Sequence, residues 1–228
     1  MRALVLSGGG MFGAWQAGAW KVFEPHFSPD LLVGCSIGSL NGYLIASGVS
    51  PERMATLWRD PRHADLGDLN PFLEAMTDEF ALRLPFAVTI TDLLRMKALI
   101  VRDRDVTWRH LAASIAVPLA FPQQKIDGRW YTDGGLLNPL PAWAAIELGA
   151  TEILALHCLP EIPSTVLKPF VGVFRAVFGH SPPVPPNVRM RVLLPSEKLG
   201  GLRDALYWKA ENIDRWIELG QRDAAGFL

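Results

Sequence analysis

An α/β fold on a mostly parallel sheet is what this sequence predicts, and three observations predict it. The apolar run Ala3–Leu6 passes through glycines into a helix-like stretch. Leu31–Val33 repeats the arrangement, passing through Gly34-Cys35-Ser36-Ile37-Gly38 into a second one. Strand, glycine turn, helix, repeated, sets parallel strands side by side. Third, the chain has 228 residues, 50% of them hydrophobic, enough for one domain around a sizeable core.

Each element has its own signal. Ala14–Phe23 reads as a helix, with Trp15, Ala19 and Val22 on one face. Ser36–Ala46 reads as the second helix. From Ser50 to Pro85 prolines interrupt short helical pieces and charge rises, which predicts a variable helical insertion or cap over about 50–105. Within it, 92–101 is expected to hold a helix and a strand. Thr107 can cap a helix running to Ala113. Gln124–Tyr131 reads as a hairpin turning at Asp127-Gly128. Pro139–Leu148 is an expected helix stopped by Gly149, and Thr151–Leu156 a strand. Thr165–Phe178 is a greasy helix, with the proline-rich stretch Ser181–Pro186 after it. Val188–Leu194 is the last expected strand, and Leu202–Ala225 reads as one long final helix.

Bulk properties narrow the function. A net charge of -1 argues against a nucleic-acid partner. Cys35 and Cys158 make no disulfide framework and suit a reducing compartment. The opening apolar run is too short for a signal peptide, and no stretch is long enough to span a bilayer. The expected location is cytoplasmic, with room for peripheral membrane contact. Eight tryptophans and a positive mean hydropathy fit a dense core and also a lipid-facing surface.

Gly34-Cys35-Ser36-Ile37-Gly38 is a G-x-S-x-G nucleophile elbow between a strand and a helix. Gly34 and Gly38 permit the sharp turn that exposes the Ser36 hydroxyl. Gly8-Gly9-Gly10-Met11-Phe12-Gly13 admits three readings. A dinucleotide site wants an acidic residue at the end of the next strand, where Val33, Gly34 and Cys35 stand, while Asp30 precedes that strand. A plain tight turn is the second. The third is an oxyanion hole, because consecutive glycines let N–H groups converge without side-chain hindrance. Ser36 also needs a base. The order Ser36, Asp133, His157 is nominally that of an α/β-hydrolase triad, but such an elbow comes after several strands, and here only one precedes it. Asp133-Gly134-Gly135 taken alone is a turn.

Taken together and in order, the motifs resemble the patatin-like phospholipase family. The resemblance rests on the glycine loop, the elbow one strand later and Asp133-Gly134-Gly135. It extends to the segment 113–122, the hairpin 126–131 and Asn138-Pro139-Leu140-Pro141. It implies a three-layer α/β/α fold and a Ser36–Asp133 dyad with no histidine. Gly8, Gly9, Gly10, Met11 and Gly13 are its implied oxyanion loop, and no metal or other cofactor is needed. The implied activity is hydrolysis of lipid carboxylic esters through an acyl-enzyme, with acyltransfer or non-catalytic lipid binding on the same fold as alternatives. Where the family usually carries Arg or Lys, this chain has Phe12. The expectation is a loop without a fixed positive charge and a preference for neutral or short-chain esters over anionic phospholipids, the alternative being that another basic residue substitutes.

The helix 165–178 is the expected membrane-contact element. Lys168, Gly172 and Arg175 form a narrow polar stripe on an otherwise apolar surface, which suits an interfacial helix or a helix buried against the sheet or in a dimer interface.

Overall fold

The computed structural model describes residues 1–61, 69–161, 167–179 and 182–228. β1 (Arg2–Leu6) lies between β2 (Leu31–Cys35) and β7 (Glu152–Leu156), parallel to both. β8 (Arg189–Leu193) extends the sheet beyond β7, and β3 (Phe86–Asp92) extends it beyond β2, again in parallel. β1 and β2 read as continuous apolar runs because both faces are covered. Ala3, Val5, Leu31 and Val33 pack toward α6 (Ala142–Glu147). Leu4, Leu6 and Leu32 face the opposite layer. There α1 (Gly13–Phe23), α2 (Ile37–Ala46), α5 (Trp108–Ile115) and α9 (Ala210–Ala225) bury their apolar sides. The result is the three-layer α/β arrangement expected from the sequence.

The expected helical insertion is helical only in its first part among the described residues. α3 (Pro51–Arg59) starts at Ser50, whose hydroxyl accepts from the Arg53 amide at 3.2 Å, and α4 (Asn70–Glu79) comes next. Beyond them, the helix expected within 92–101 is absent. Phe86–Asp92 and β4 (Lys97–Arg102) form an antiparallel hairpin within the sheet. Its Phe-Ala-Val-Thr-Ile-Thr run is aromatic and β-branched and is buried along its whole length.

β3 also positions the strands on either side of it. β4 pairs one of its edges over Ala87–Asp92. The other edge is shared. β2 occupies it up to the pair Cys35–Thr89, and β6 (Arg129–Asp133) takes over, antiparallel, from the pair Asp133–Ile90. Two strands that run toward each other along one edge therefore end nose to nose, at Cys35-Ser36 and at Asp133. The β5 (Gln124–Ile126) to β6 hairpin turns at Asp127 and Gly128, both at positive φ (48° and 78°), as the Asp-Gly pair predicts. Thr107 stands at the N-cap of α5 as expected, where its amide donates to His110 Nδ1 at 3.2 Å and its hydroxyl lies 2.9 Å from the same nitrogen.

The expected single closing helix is two. α8 (Leu202–Leu206) ends at Tyr207, and Tyr207 and Lys209 are extended. The break turns Trp208 so that its indole N–H donates to the Trp58 carbonyl at 2.9 Å. α9 packs on α1 at close range. A Cβ at Gly18 would meet the Ile217 carbonyl oxygen at 2.1 Å, and Trp15 Nε1 donates to Asp223 at 2.8 Å. α7 (Leu167–Phe178) forms where a helix was expected. Thr165, Val166 and Ser181 lie outside the described residues, as do the side chains of Lys168, Phe170 and Phe174. Val173 and Val177 are 67% and 66% exposed.

Candidate active site

Ser36 sits where β2 turns into α2, with φ 52° and ψ −130°, a region that side-chain-bearing residues rarely adopt. The turn is held from two sides. The Ser36 amide donates to Ser114 Oγ at 2.8 Å, and Ser114 Oγ donates to the Thr89 carbonyl at 2.9 Å. Ser39 Oγ donates to the Ser36 carbonyl at 2.6 Å. Gly34 and Gly38 are required by close approach, not by positive φ. A Cβ on Gly34 would lie 2.4 Å from the Gly38 carbonyl oxygen, and one on Gly38 would lie 2.3 Å from that of Leu6.

Across the β2–β6 junction, Ser36 Oγ donates to Asp133 Oδ2 at 2.6 Å. The other carboxylate oxygen accepts from the Gly135 amide, also at 2.6 Å. Both side chains are buried. Burial pushes the Asp133 pKa up to about 6, against the opposing pull of the Ser36 and Gly135 hydrogen bonds and the Arg175 charge. Gly134 carries the chain past β3, where a Cβ would lie 2.3 Å from the Thr89 carbonyl oxygen.

Ser36 and Asp133 open on a cavity of about 280 Å³, lined also by Gly8, Gly9, Gly10 and Met11 together with a largely apolar wall. Within the glycine loop the residues divide. The Gly8 amide donates to the Pro139 carbonyl at 2.9 Å, which removes it as an oxyanion donor. The amides of Gly9, Gly10 and Met11 donate to no backbone carbonyl among the described residues. Gly13 does not line the cavity. It opens α1 against Ile37 and Trp58. The loop is anchored from below by Gln16, whose Nε2 donates to the Ser7 and Leu156 carbonyls at 2.9 and 3.2 Å. Asn41 Nδ2 ties in the Gly13 carbonyl at 2.9 Å.

Three residues weighed in the sequence stand outside the cavity. Asp30 fixes the strand starts, accepting from the Arg2 amide at 2.7 Å, and is a structural anchor away from the glycine loop. His157 comes after β7 and does not line the cavity. Burial, with a smaller push from the Arg175 charge, lowers its pKa to about 4. Phe12 is buried against Trp216, ring edge to ring face at 5.0 Å between centroids, and points away from the cavity. The site is nevertheless not without positive charge. Arg175 lines it from α7, its Nη2 donating to the Gly135 carbonyl at 2.7 Å and its Nε to that of Leu136 at 3.3 Å.

Sequence reasoning missed Ser114 and the direction of Arg175. Ser114 had one visible signal, a lone hydroxyl in the apolar run 111–117. Cys35 and Cys158 are both free and buried, and burial raises both thiols, Cys158 to about 12. Neither supplies a thiolate near neutral pH.

An α/β sheet presenting a serine on a strained strand-to-helix elbow, its hydroxyl hydrogen-bonded to a buried aspartate beside a glycine loop, points to a class. The chain belongs to the patatin-like phospholipase family, whose family model matches residues 4–103 and 87–146. It is 31% identical over 182 residues to human patatin-like phospholipase domain-containing protein 6, an alignment that covers 68% of this chain and 13% of that protein. It is 30% identical over 158 residues to a Mycobacterium tuberculosis protein described as an uncharacterized NTE family protein, covering 61% of this chain and 44% of the other. The chain thus spans a small part of the first relative's length. The crystal structure of VipD from Legionella pneumophila superposes with a TM-score of 0.58 at 12% identity, covering 99% of this chain and 66% of that one, a likeness of fold. No helix among the described residues is long and apolar enough to cross a membrane.

Proposed function

We propose that this chain is a serine acyl hydrolase that cleaves lipid carboxylic esters through Ser36 and Asp133. The observation that carries the reading is the 2.6 Å hydrogen bond from Ser36 Oγ to Asp133 Oδ2 at the floor of an apolar cavity. Ser36 Oγ attacks the ester carbonyl carbon as its proton passes to Asp133. The tetrahedral oxyanion is met by the amides of Gly9, Gly10 and Met11, backbone donors already fixed in place. On collapse the C–O bond to the alcohol breaks, and Asp133 returns the proton to the leaving alkoxide. Water then attacks the acyl-enzyme, giving its proton to Asp133, which passes it back to Ser36 as the acid leaves. A carboxylate with a pKa near 6 is a stronger base than a solvated one and is still largely ionised at neutral pH.

The test is covalent labelling. A fluorophosphonate is expected to modify one residue, Ser36, by peptide mass spectrometry, and p-nitrophenyl ester turnover is expected to continue in excess EDTA because the oxyanion is assigned to backbone donors. Labelling at another residue, or loss of soluble-ester turnover with EDTA, would reject this mechanism.

The same reading gives α7 the contact with the lipid surface. Its Arg175 turns inward while Val173 and Val177 stand exposed, the reverse of an ordinary surface helix. Changing both valines to Ser is expected to leave a folded protein that still turns over a soluble ester. Its binding to phosphatidylcholine vesicles should weaken about tenfold, from the lost apolar burial. Unaltered vesicle binding would remove α7 from the interface.

A further inference from the structure

Among the described residues the cavity holds two charged side chains, Asp133 and Arg175, and the hydrolytic mechanism uses only the first. Arg175 is fixed at two points. The carbonyls of Gly135 and Leu136 take one N–H from Nη2 and the Nε N–H. A guanidinium has five N–H donors, so three remain, and among the described residues none of these has a protein acceptor at hydrogen-bond distance. The two carbonyls fix the plane of the group without neutralising it. Asp133 lies within electrostatic reach but is already engaged by Ser36 and by the Gly135 amide. Gly135 joins the two charges directly, giving its N–H to Asp133 and its carbonyl to Arg175. A guanidinium facing an apolar wall with most donors unused is poorly compensated, and an anion with several acceptor oxygens is what it complements.

We propose that Arg175 determines substrate specificity by taking the phosphate of a phospholipid whose acyl ester lies over Ser36. The assignment rests on the hydrolase reading for the position of the ester. In a glycerophospholipid the phosphate and the nearest acyl ester sit on adjacent glycerol carbons, so both fit a cavity in which base and guanidinium are bridged by one residue. A neutral acylglycerol offers the ester and leaves the charge unmet. Burial lowers the Arg175 pKa from the ordinary guanidinium range, which is the same lack of compensation seen from the residue's side. The charge reaches the cavity from α7, the helix with the exposed valines, so the element assigned to the lipid surface also carries the group that selects the lipid.

Matched ligands test this. Dihexanoylphosphatidate, dihexanoylglycerol and hexanoate are titrated calorimetrically into Ser36→Ala protein, which binds without turnover. Phosphatidate is expected to bind about tenfold more tightly than the neutral glyceride, and Arg175→Gln in the same background should abolish that ratio. Arg175→Lys, which keeps the charge and loses the planar fork, should retain part of it. In the otherwise unaltered enzyme, the kcat/KM ratio of the two esters should fall with Arg175→Gln by a similar factor. Should Arg175→Gln not fold, modification of Arg175 by phenylglyoxal in the unaltered protein decides, and phosphatidate but not dihexanoylglycerol should protect it. An unchanged affinity ratio, equal losses for both ligands, or equal protection by both overturns the assignment. Loss confined to hexanoate also overturns it and gives the charge to the product carboxylate. If neither ester is turned over but the affinity ratio and its loss appear as stated, the hydrolase reading fails and the Arg175 assignment stands. If Ser36-dependent turnover shows no phosphate preference, the reverse holds.

Discussion

Ser36→Ala is expected to lower kcat/KM for a soluble ester by about four orders of magnitude or more and to eliminate fluorophosphonate labelling. Removing a nucleophile from a unit that acts together leaves only what binding and oxyanion donors achieve alone. The loss should not come from unfolding. The elbow is held through the backbone, by the Ser36 amide on Ser114 and the Ser36 carbonyl under Ser39, and alanine keeps both bonds. One cost is local. Asp133 Oδ2 loses its only hydroxyl partner, and a buried acceptor left unsatisfied costs about 1–3 kcal/mol. That same bond holds the Asp133 pKa down, so its loss moves the carboxyl further up and leaves it protonated over a wider range. Circular dichroism should match the unaltered protein. Turnover within about tenfold of the parent would place the nucleophile elsewhere.

How far each feature was legible in the sequence depends on its physics. The elbow and the Asp-Gly-Gly turn could be read because backbone passes so close to backbone there that only glycine fits, at Gly34, Gly38 and Gly134. The β5–β6 hairpin could be read because two successive positive φ values demand residues such as Asp and Gly. The meeting of Ser36 with Asp133 could not be derived locally. It depends on β2 and β6 sharing one edge of β3, and β3 was hidden inside a region read as a helical cap. Ser114 and Arg175 each act through two contacts with carbonyls or amides far away in the chain, and no local pattern encodes such partners. The expected charge deficit at Phe12 was a statement about a loop. The cavity is also walled by α7, and the sequence does not say which way a helix's one arginine turns. The break before α9 is set by the Trp208–Trp58 contact, again a tertiary matter.

Asp133→Asn is expected to separate activity from stability. Asparagine keeps the shape and can still accept from the Gly135 amide, but it takes no proton, so kcat/KM should fall by about three to four orders of magnitude. His157→Ala should remain within a few-fold of the parent, because His157 does not line the cavity. In the proposed mechanism Asp133 acts as base in its ionised form, so kcat/KM of the unaltered protein should rise with pH through a midpoint of about 6. Stability runs the other way. The folded pKa of about 6 lies above the ordinary aspartate value of 3.8, so between the two the folded state holds a proton that the unfolded chain has released. Unfolding then releases a proton, and stability falls as pH rises through that window. The difference corresponds to roughly 3 kcal/mol, lost by the parent once the pH passes the folded value. Asparagine carries no such charge, so Asp133→Asn should be the more stable protein near pH 8, with the gap closing as pH falls toward 4. Urea midpoints for both proteins across this range measure it. A variant that is less stable at pH 8, with the gap narrowing toward acid, would mean that the site stabilises the ionised carboxylate. Asp133 would then be too weak a base for the role assigned to it.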